Sequence, residues 1–352
     1  MTFAEIPQRF LDEREYAETM GWGPVREQPL VSVVVTTYQQ VEFIEDCLES
    51  VLMQKTAFPF EIIVGEDGST DGTRERCVTY ATRHPNQIRL FLRSRREAVY
   101  STRGRQRRVN GIWSRQAARG AFIAVCDGDD LWTDPLKLQK QVDFLRARPD
   151  CVSCFHAVDL DDRIHGVLRR ASIAPAARAD GRYGLDDLLR LGNLIHTSSE
   201  VYRNTPVLDP PEWFYALPYR DFARHALLLG TGDDRWIGYM PECMAVYRMH
   251  SVGSWFSRGR QQRIADELEV YMALGENLDI EHRPEWKRAF SRLLANHTLA
   301  RLSRRAVIED LVMIWRKSPR LATTFALWVL PTRILDLVMK RASHLLPGSR
   351  TS

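Results

Sequence analysis

The sequence predicts an α/β protein with a mostly parallel central sheet flanked by helices and a helical C-terminal extension. Three observations carry that expectation. Between Leu30 and Cys126, β-branched apolar runs alternate with amphipathic stretches, the pattern of strands joined by crossover helices. The apolar runs are continuous, as in strands covered on both faces. Polar segments follow three of these runs, at Thr36–Tyr38, Glu66–Asp71 and Asp127–Asp130, and ligands bind at the carboxyl ends of such strands.

Taken in order, residues 1–29 read as a helical appendage ending at GWGP. LVSVVVTTY is a strand, and VEFIEDCLESVLMQ is a helix with Ile44, Cys47, Leu48, Val51 and Leu52 on one face. FEIIVGED is a second strand, followed by the helix STDGTRERCVTYATRH with Ser69, Thr70 or Asp71 as its cap. IRLFLR, a helix near Gly111–Ala118, the strand AFIAVC and the helix Pro135–Arg146 complete the first half. Beyond it, CVSCFHAVDL is a strand, Asp159–Gly181 a polar irregular excursion, and Gly192–Val201 a strand carrying small hydroxyls. Pro206–Pro218 is a rigid aromatic loop, DFARHALLL a helix, WIGYM and MAVYRMH two strands, and SVGSWF a candidate lid. From Gln261 onward the chain is helical and basic.

The 352 residues, 44% hydrophobic and 27% charged, describe a globular protein rather than a disordered or membrane-spanning one. A net charge of +4 is too small to point to nucleic acid. The acidic N-terminus lacks an apolar h-region, so no signal peptide is expected and the cytoplasm is the expected compartment. Six cysteines are then expected to be reduced, with Cys151 and Cys154 packing as small hydrophobes.

The chemistry centres on Asp127, Asp129 and Asp130 around Gly128, in the stretch AFIAVCDGDDLWTDPLKL. Three neighbouring carboxylates repel unless a cation or donor groups neutralise them. Mg²⁺ or Mn²⁺ shared with a phosphate-bearing substrate suits them. The alternative is an acidic turn before the following helix, which Thr133 or Asp134 caps without the other acids. Neither a P-loop nor a dinucleotide fingerprint is present, so metal and side chains have to handle phosphates. Glu66–Asp71 suits a nucleotide base and ribose, and equally a capped helix start. Arg93, Arg95, Arg96, Arg103, Arg105, Arg107 and Arg108 form a basic segment that is loose without an anionic partner, or simply solvated. Trp213 and Tyr215 suit stacking on a sugar face or plain packing. Asp221 opens a helix, where a lone acid is commonly an N-cap; Glu200, Glu212, Asp233 and Asp234 are the other acids available as a base. The basic, Trp-bearing tail Arg304–Leu346 fits either a bundle on the sheet or an anionic membrane surface.

VSVVVTTYQQ, EIIVGEDGSTDGT, Asn110, ARGAFIAVCDGDDLWTDPLKLQKQVDFL, RDFARHALLLG and IGYMPECMAVYRMH together resemble the bacterial family 2 glycosyltransferases. The resemblance runs from about Leu30 to Ser257. It implies a GT-A, Rossmann-like fold over residues 30–257, with a nucleotide-sugar half at 30–150 and an acceptor half at 151–257. Residues 1–29 and the basic helical region 258–352 fall outside it. It implies inverting, metal-assisted transfer of a sugar from a nucleotide-diphosphate donor, a UDP-sugar favoured, to an acceptor hydroxyl in surface polysaccharide or glycan assembly. Thr36, Thr37, Tyr38, Glu66, Asp67, Asn110, Asp127 and Asp130 are the implied donor contacts. Asp129 and His250 are the implied ligands of Mn²⁺ or Mg²⁺, and Asp221 the implied general base. Trp213 and Arg220 are placed at the acceptor, a saccharide or a lipid-linked saccharide. Where many members carry Glu or Gly before the base, this chain has Arg220, which either holds an acceptor or pairs with Asp221. A metal-dependent nucleotidyltransferase and a non-catalytic nucleotide- or polysaccharide-binding module are the rival classes.

Overall fold

The computed structural model describes residues 28–93, 99–102, 105–108, 110–175, 178–205, 210–232, 234–250 and 258–301, in two compact units divided between Ser257 and Arg258. In the first unit, β1 (Val31–Thr37), α1 (Ile44–Leu52), β2 (Phe60–Glu66), α2 (Thr73–Arg83) and β3 (Ile88–Leu92) follow the expected alternation. A hairpin of β4 (Val99–Thr102) and β5 (Arg105–Arg108) precedes α3 (Asn110–Gln116) and β6 (Phe122–Val125). Then come β7 (Leu131–Trp132), α4 (Lys137–Arg146), β8 (Cys151–Asp162), β9 (Val167–Ile173), β10 (Arg182–Tyr183) and α5 (Leu185–Leu191). A 3-10 turn at Thr197–Ser199 leads into β11 (Val201–Arg203), α6 (Glu212–Tyr215), α7 (Asp221–Leu229) and β12 (Trp236–Met249).

The sheet runs β10-β12-β8-β11-β6-β1-β2-β3, with β7 on β12 and β9 on β8. Strands β6, β1, β2 and β3 are parallel, β11 is antiparallel to both neighbours, and β12 is parallel to β8. Val31, Val33, Val34 and Val35 of β1 are all buried, because helices cover both faces there. Helix α1 seals one face with Ile44, Cys47, Leu48 and Val51, spaced for a single helical stripe. The chain goes from β1 outward to β2 and β3, then returns past β1 to β6 on its other side. That reversal opens a crevice above the carboxyl ends of β1 and β6.

Several elements differ from the sequence expectation. The excursion at Asp159–Gly181 is largely a hairpin, because β8 runs on to Asp162 and β9 pairs back antiparallel on it. Six of the seven β9 residues are exposed, so no apolar period marks it as a strand. Gly192–Val201 is not a strand; its hydroxyls sit on the 3-10 turn that precedes β11. WIGYM and MAVYRMH form one continuous strand, interrupted by register shifts around Cys243. The helix expected from Pro135 begins at Lys137, with Asp134 Oδ1 accepting from the Leu136 N–H at 2.8 Å. At α2 the N-cap is Gly72, with a φ of 106°; Asp71 sits one residue earlier and accepts the Thr73 N–H at 3.0 Å. Cys151 and Cys154 are free thiols in the core. The appendage before residue 28, SVGSWF and the tail Arg304–Leu346 lie outside the described residues.

In the second unit α8 (Arg260–Leu278) and α9 (Pro284–Arg301) pack on each other. Trp286 stacks on Phe290 within α9 and joins the two helices by donating to the Tyr271 carbonyl of α8 at 3.0 Å. A Cβ at Gly275 would stand 2.6 Å from the Trp286 ring, so the contact needs a glycine. Among the described residues no helix is long and apolar enough to cross a membrane.

Candidate functional site

The end of β6 sets the first acid. Parallel pairing with β1 brings Thr36 opposite the turn that follows β6, where its carbonyl accepts the Gly128 N–H at 2.9 Å. Thr36 Oγ1 donates to Asp127 Oδ1 at 2.7 Å, and Thr197 Oγ1 donates to Asp127 Oδ2 at 3.0 Å. The Thr197 turn is fixed by Trp132, a fully buried indole that donates to the Ser198 carbonyl at 2.9 Å. Gly128 is required by close approach. A Cβ there would meet Gln40 Oε1 at 2.5 Å and Thr37 Oγ1 at 2.8 Å.

Asp129 and Asp130 point to different partners. Asp129 Oδ2 lies 2.9 Å from His250 Nε2 at the end of β12, and the His250 ring packs on Phe43 at 4.6 Å. Asp130 is 1% exposed and accepts only the Arg248 backbone N–H, at 3.3 Å, with His196 Nδ1 at 3.8 Å. Among the described residues no lysine or arginine side chain pairs with Asp127, Asp129 or Asp130. Burial, then the charge of Asp129, pushes the Asp127 carboxyl up to about 6. The same two causes, with Asp127 added, raise Asp130 well above the usual range. Burial depresses His196 to about 4, so it faces these acids as a neutral imidazole. The cluster is therefore short of positive charge. Asp129 and His250 offer two ligands, and no group of three or more His, Cys, Asp or Glu among the described residues is set to hold an ion. Two ligands suit a cation whose coordination is completed by phosphate oxygens and water rather than by the protein alone.

Of the other residues expected at the donor, Thr37 is buried with its hydroxyl on Gln40 Oε1 at 2.8 Å, and Tyr38 is exposed beside the crevice. Asp67 follows β2, its N–H on the Thr37 carbonyl at 3.0 Å. Two expected donor contacts are held by the protein itself. Glu66 is fully buried, bonded to the Ser69 N–H and paired with Arg74. The Asn110 amide donates to the Gly65 carbonyl at 2.8 Å and accepts from Arg93. Arg93 itself belongs to this buried network rather than to a loose basic loop. A Cβ at Gly65 would collide with it, so Gly65, Arg93, Asn110 and Ser114 form one packed unit.

On the other side of the crevice, α7 starts at Asp221 itself; its N-cap is Arg220 and no side chain caps the helix. Asp221 Oδ1 faces Arg224 at 3.4 Å and Arg115 at 3.8 Å. Burial opposes ionisation, but the two guanidiniums prevail and hold the carboxyl below its usual range. Arg220 does not pair with Asp221; it binds the Phe214 and Tyr215 carbonyls at 3.2 and 2.7 Å. It therefore fixes the aromatic segment, where Tyr215 is buried and Trp213 half-buried. Glu200 is excluded as a solvent-facing base, being fully buried against Ser153, Arg224 and His225. Sequence reasoning missed Thr197 and Arg224, whose partners lie 70 and 24 residues away.

Residues 32–199 match the model of the family described as "Glycosyl transferase family 2". An uncharacterized protein of Mycobacterium tuberculosis is 36% identical over 240 residues, 66% of this chain and 62% of that protein. An uncharacterized glycosyltransferase of Nostoc is 26% identical over 235 residues, 64% of this chain and 67% of that protein. The solved mannosyltransferase of Pyrobaculum calidifontis, in complex with GDP-Man and Mn²⁺, aligns at 17% identity over 96% of this chain and 92% of its own, with a TM-score of 0.47. The chain thus spans less than two thirds of the length of the mycobacterial relative. Residues 32–199, just under half of the chain, thus carry the likeness to the family 2 glycosyltransferases.

Proposed function

We propose that the protein transfers a sugar from a nucleotide-diphosphate donor to an acceptor hydroxyl, with inversion at the anomeric carbon. The observation that carries this reading is the acidic cluster at the β1/β6 crevice, three carboxylates without a Lys or Arg partner among the described residues. Such a cluster binds a divalent cation and, through it, a diphosphate. Asp129 and His250 would hold Mn²⁺ or Mg²⁺, and Asp127, oriented by Thr36 and Thr197, would bind the donor beside it. A bound cation supplies charge neutralisation to the departing nucleoside diphosphate. Asp221, kept ionised by its two arginines, takes the proton of the attacking hydroxyl. A single displacement of this kind inverts the centre and needs no covalent nucleophile.

The acceptor is a saccharide or lipid-linked saccharide of surface polysaccharide or glycan assembly, with Trp213 at its edge. The reaction runs at the cytoplasmic side, and the basic segment Arg304–Leu346 brings the enzyme to an anionic membrane surface. That last element is tested by co-sedimentation of the full chain with anionic vesicles. Binding weakens with salt, and equal sedimentation at high salt contradicts it.

The activity itself is tested with a panel of uridine and guanosine diphosphate sugars, Mn²⁺ and candidate saccharides. Release of nucleoside diphosphate with sugar transfer is the expected result. Release of pyrophosphate would mark a nucleotidyltransferase, and binding without turnover a binding module. Asp221→Asn is expected to keep fold and donor binding while transfer falls by about 10²-fold or more.

A further inference from the structure

Asp221 stands at the outer end of a buried chain of charge. Arg224, one turn further along α7, is 3% exposed; its Nη1 donates to Glu200 Oε2 at 2.8 Å and its Nη2 reaches Asp221 Oδ1 at 3.4 Å. Glu200 is fully buried and held on three sides. Ser153 Oγ of β8 donates to its Oε1 at 2.7 Å, while Arg224 and His225 Nε2, the latter at 3.0 Å, share its Oε2. The guanidinium of Arg224 also lies over the Tyr202 ring, 4.5 Å from its centroid. Contacts from β8, β11 and α7 therefore lock Arg224 in one place. Arg115 of α3 also approaches Asp221, its nearest nitrogen lying 3.8 Å from Oδ1. Among the described residues, the Asp221 side chain accepts its hydrogen bond at Oδ1, and none reaches Oδ2. The carboxylate is gripped by one oxygen and left open at the other.

We infer that Arg224, fixed by Glu200, is the positioning residue of the base: it holds Asp221 by Oδ1 so that Oδ2 receives the acceptor proton. This rests on the reading of Asp221 as the base. Burying an arginine and a glutamate is costly and often no more stabilising than apolar packing of the same volume. Here the pair places one guanidinium nitrogen on the carboxylate that opens the helix, which apolar packing would not do. The proton passes from the acceptor hydroxyl to Oδ2 as its oxygen bonds to the anomeric carbon and the bond to the nucleoside diphosphate breaks. Arg224 and Arg115 keep their own protons throughout.

Arg224→Lys retains the positive charge but loses the fork that bridges Glu200 and Asp221. With a uridine or guanosine diphosphate sugar that supports turnover, kcat is expected to fall by about 10- to 100-fold, with the KM for donor unchanged. In the Asp221→Asn background the same change is expected to cost nothing further, because residues acting as a unit are non-additive. An equal loss in both backgrounds, or a rise in donor KM with kcat intact, overturns the inference while leaving Asp221 as the base. Near wild-type turnover by Asp221→Asn alone instead overturns the base reading, and with it the positioning role of Arg224. If Arg224→Lys does not reach the native thermal midpoint, Arg115→Lys reads the same coupling. Arg115 is partly exposed, and there the expected kcat loss is a few-fold and again absent in Asp221→Asn. A loss that persists in that background overturns the inference.

Discussion

Two acidic sites lie at opposite ends of the same parallel strands. At the amino end, Glu61 of β2 is fully buried and completely compensated. Ser32 Oγ donates to Oε1 at 2.6 Å, and Arg119 and Arg89 approach Oε2 at 2.6 and 3.1 Å. Burial works against its ionisation, but Arg119, Ser32 and Arg89 outweigh it and lower its pKa. At the carboxyl end, Asp127 and Asp130 are raised, because burial and mutual repulsion meet hydroxyls and one backbone N–H instead of guanidiniums. Glu61 has its counter-charges built in, whereas Asp127, Asp129 and Asp130 have none from Lys or Arg among the described residues. On the proposed function, the contrast separates a carboxylate used for stability from carboxylates used for binding more sharply than burial does.

The largest expected effect falls on the carboxyl end. If Asp129 holds the cation as proposed, Asp129→Asn forfeits several kcal/mol of leaving-group stabilisation and lowers transfer by about 10²-fold or more. Its melting temperature is expected to stay at or above that of the wild type, and a clear fall would blur the contrast. Glu61→Gln should do the reverse. Leaving Arg119 and Arg89 without their anion costs on the order of 3 kcal/mol of stability, measured by denaturant unfolding, while kcat per folded molecule is unchanged. That cost should depend on pH. The folded-state pKa of Glu61 is lowered, so its stabilisation is present above the unfolded pKa and lost as pH falls through the folded value. The difference between wild type and Glu61→Gln is therefore expected to shrink toward acid, and a gap that is constant from neutral to acid pH would contradict it. The smallest effect is that of Thr197→Val. Losing one hydrogen bond that orients Asp127 is expected to weaken donor binding by about 1 kcal/mol, read by calorimetric titration.

The parallel strands and their helices were legible because apolar runs and helical stripes such as Ile44, Cys47, Leu48 and Val51 leave a period in the sequence. The acids at Asp127–Asp130 were legible because strand, turn and carboxylates are contiguous. Strand β9 was not, since its exposed residues follow no apolar pattern and it is held by pairing with β8. The fates of Glu66 and Asn110 were hidden for another reason. Their partners, Arg74 and Arg93, are set by packing on Gly65 and by α2, which spacing along the chain does not reveal. The buried pair of Glu200 and Arg224 likewise joins the residue just before β11 to α7 across 24 residues of chain.

On the proposed function, the acids at the carboxyl end bind a diphosphate through a divalent cation. Calorimetric titration of the full chain with UDP and with GDP, in Mn²⁺ and then in excess chelator, measures that binding. Tight binding of at least one of the two in Mn²⁺, lost in chelator and lost in Asp129→Asn, is the predicted result. Affinity that is unchanged by the chelator would contradict it.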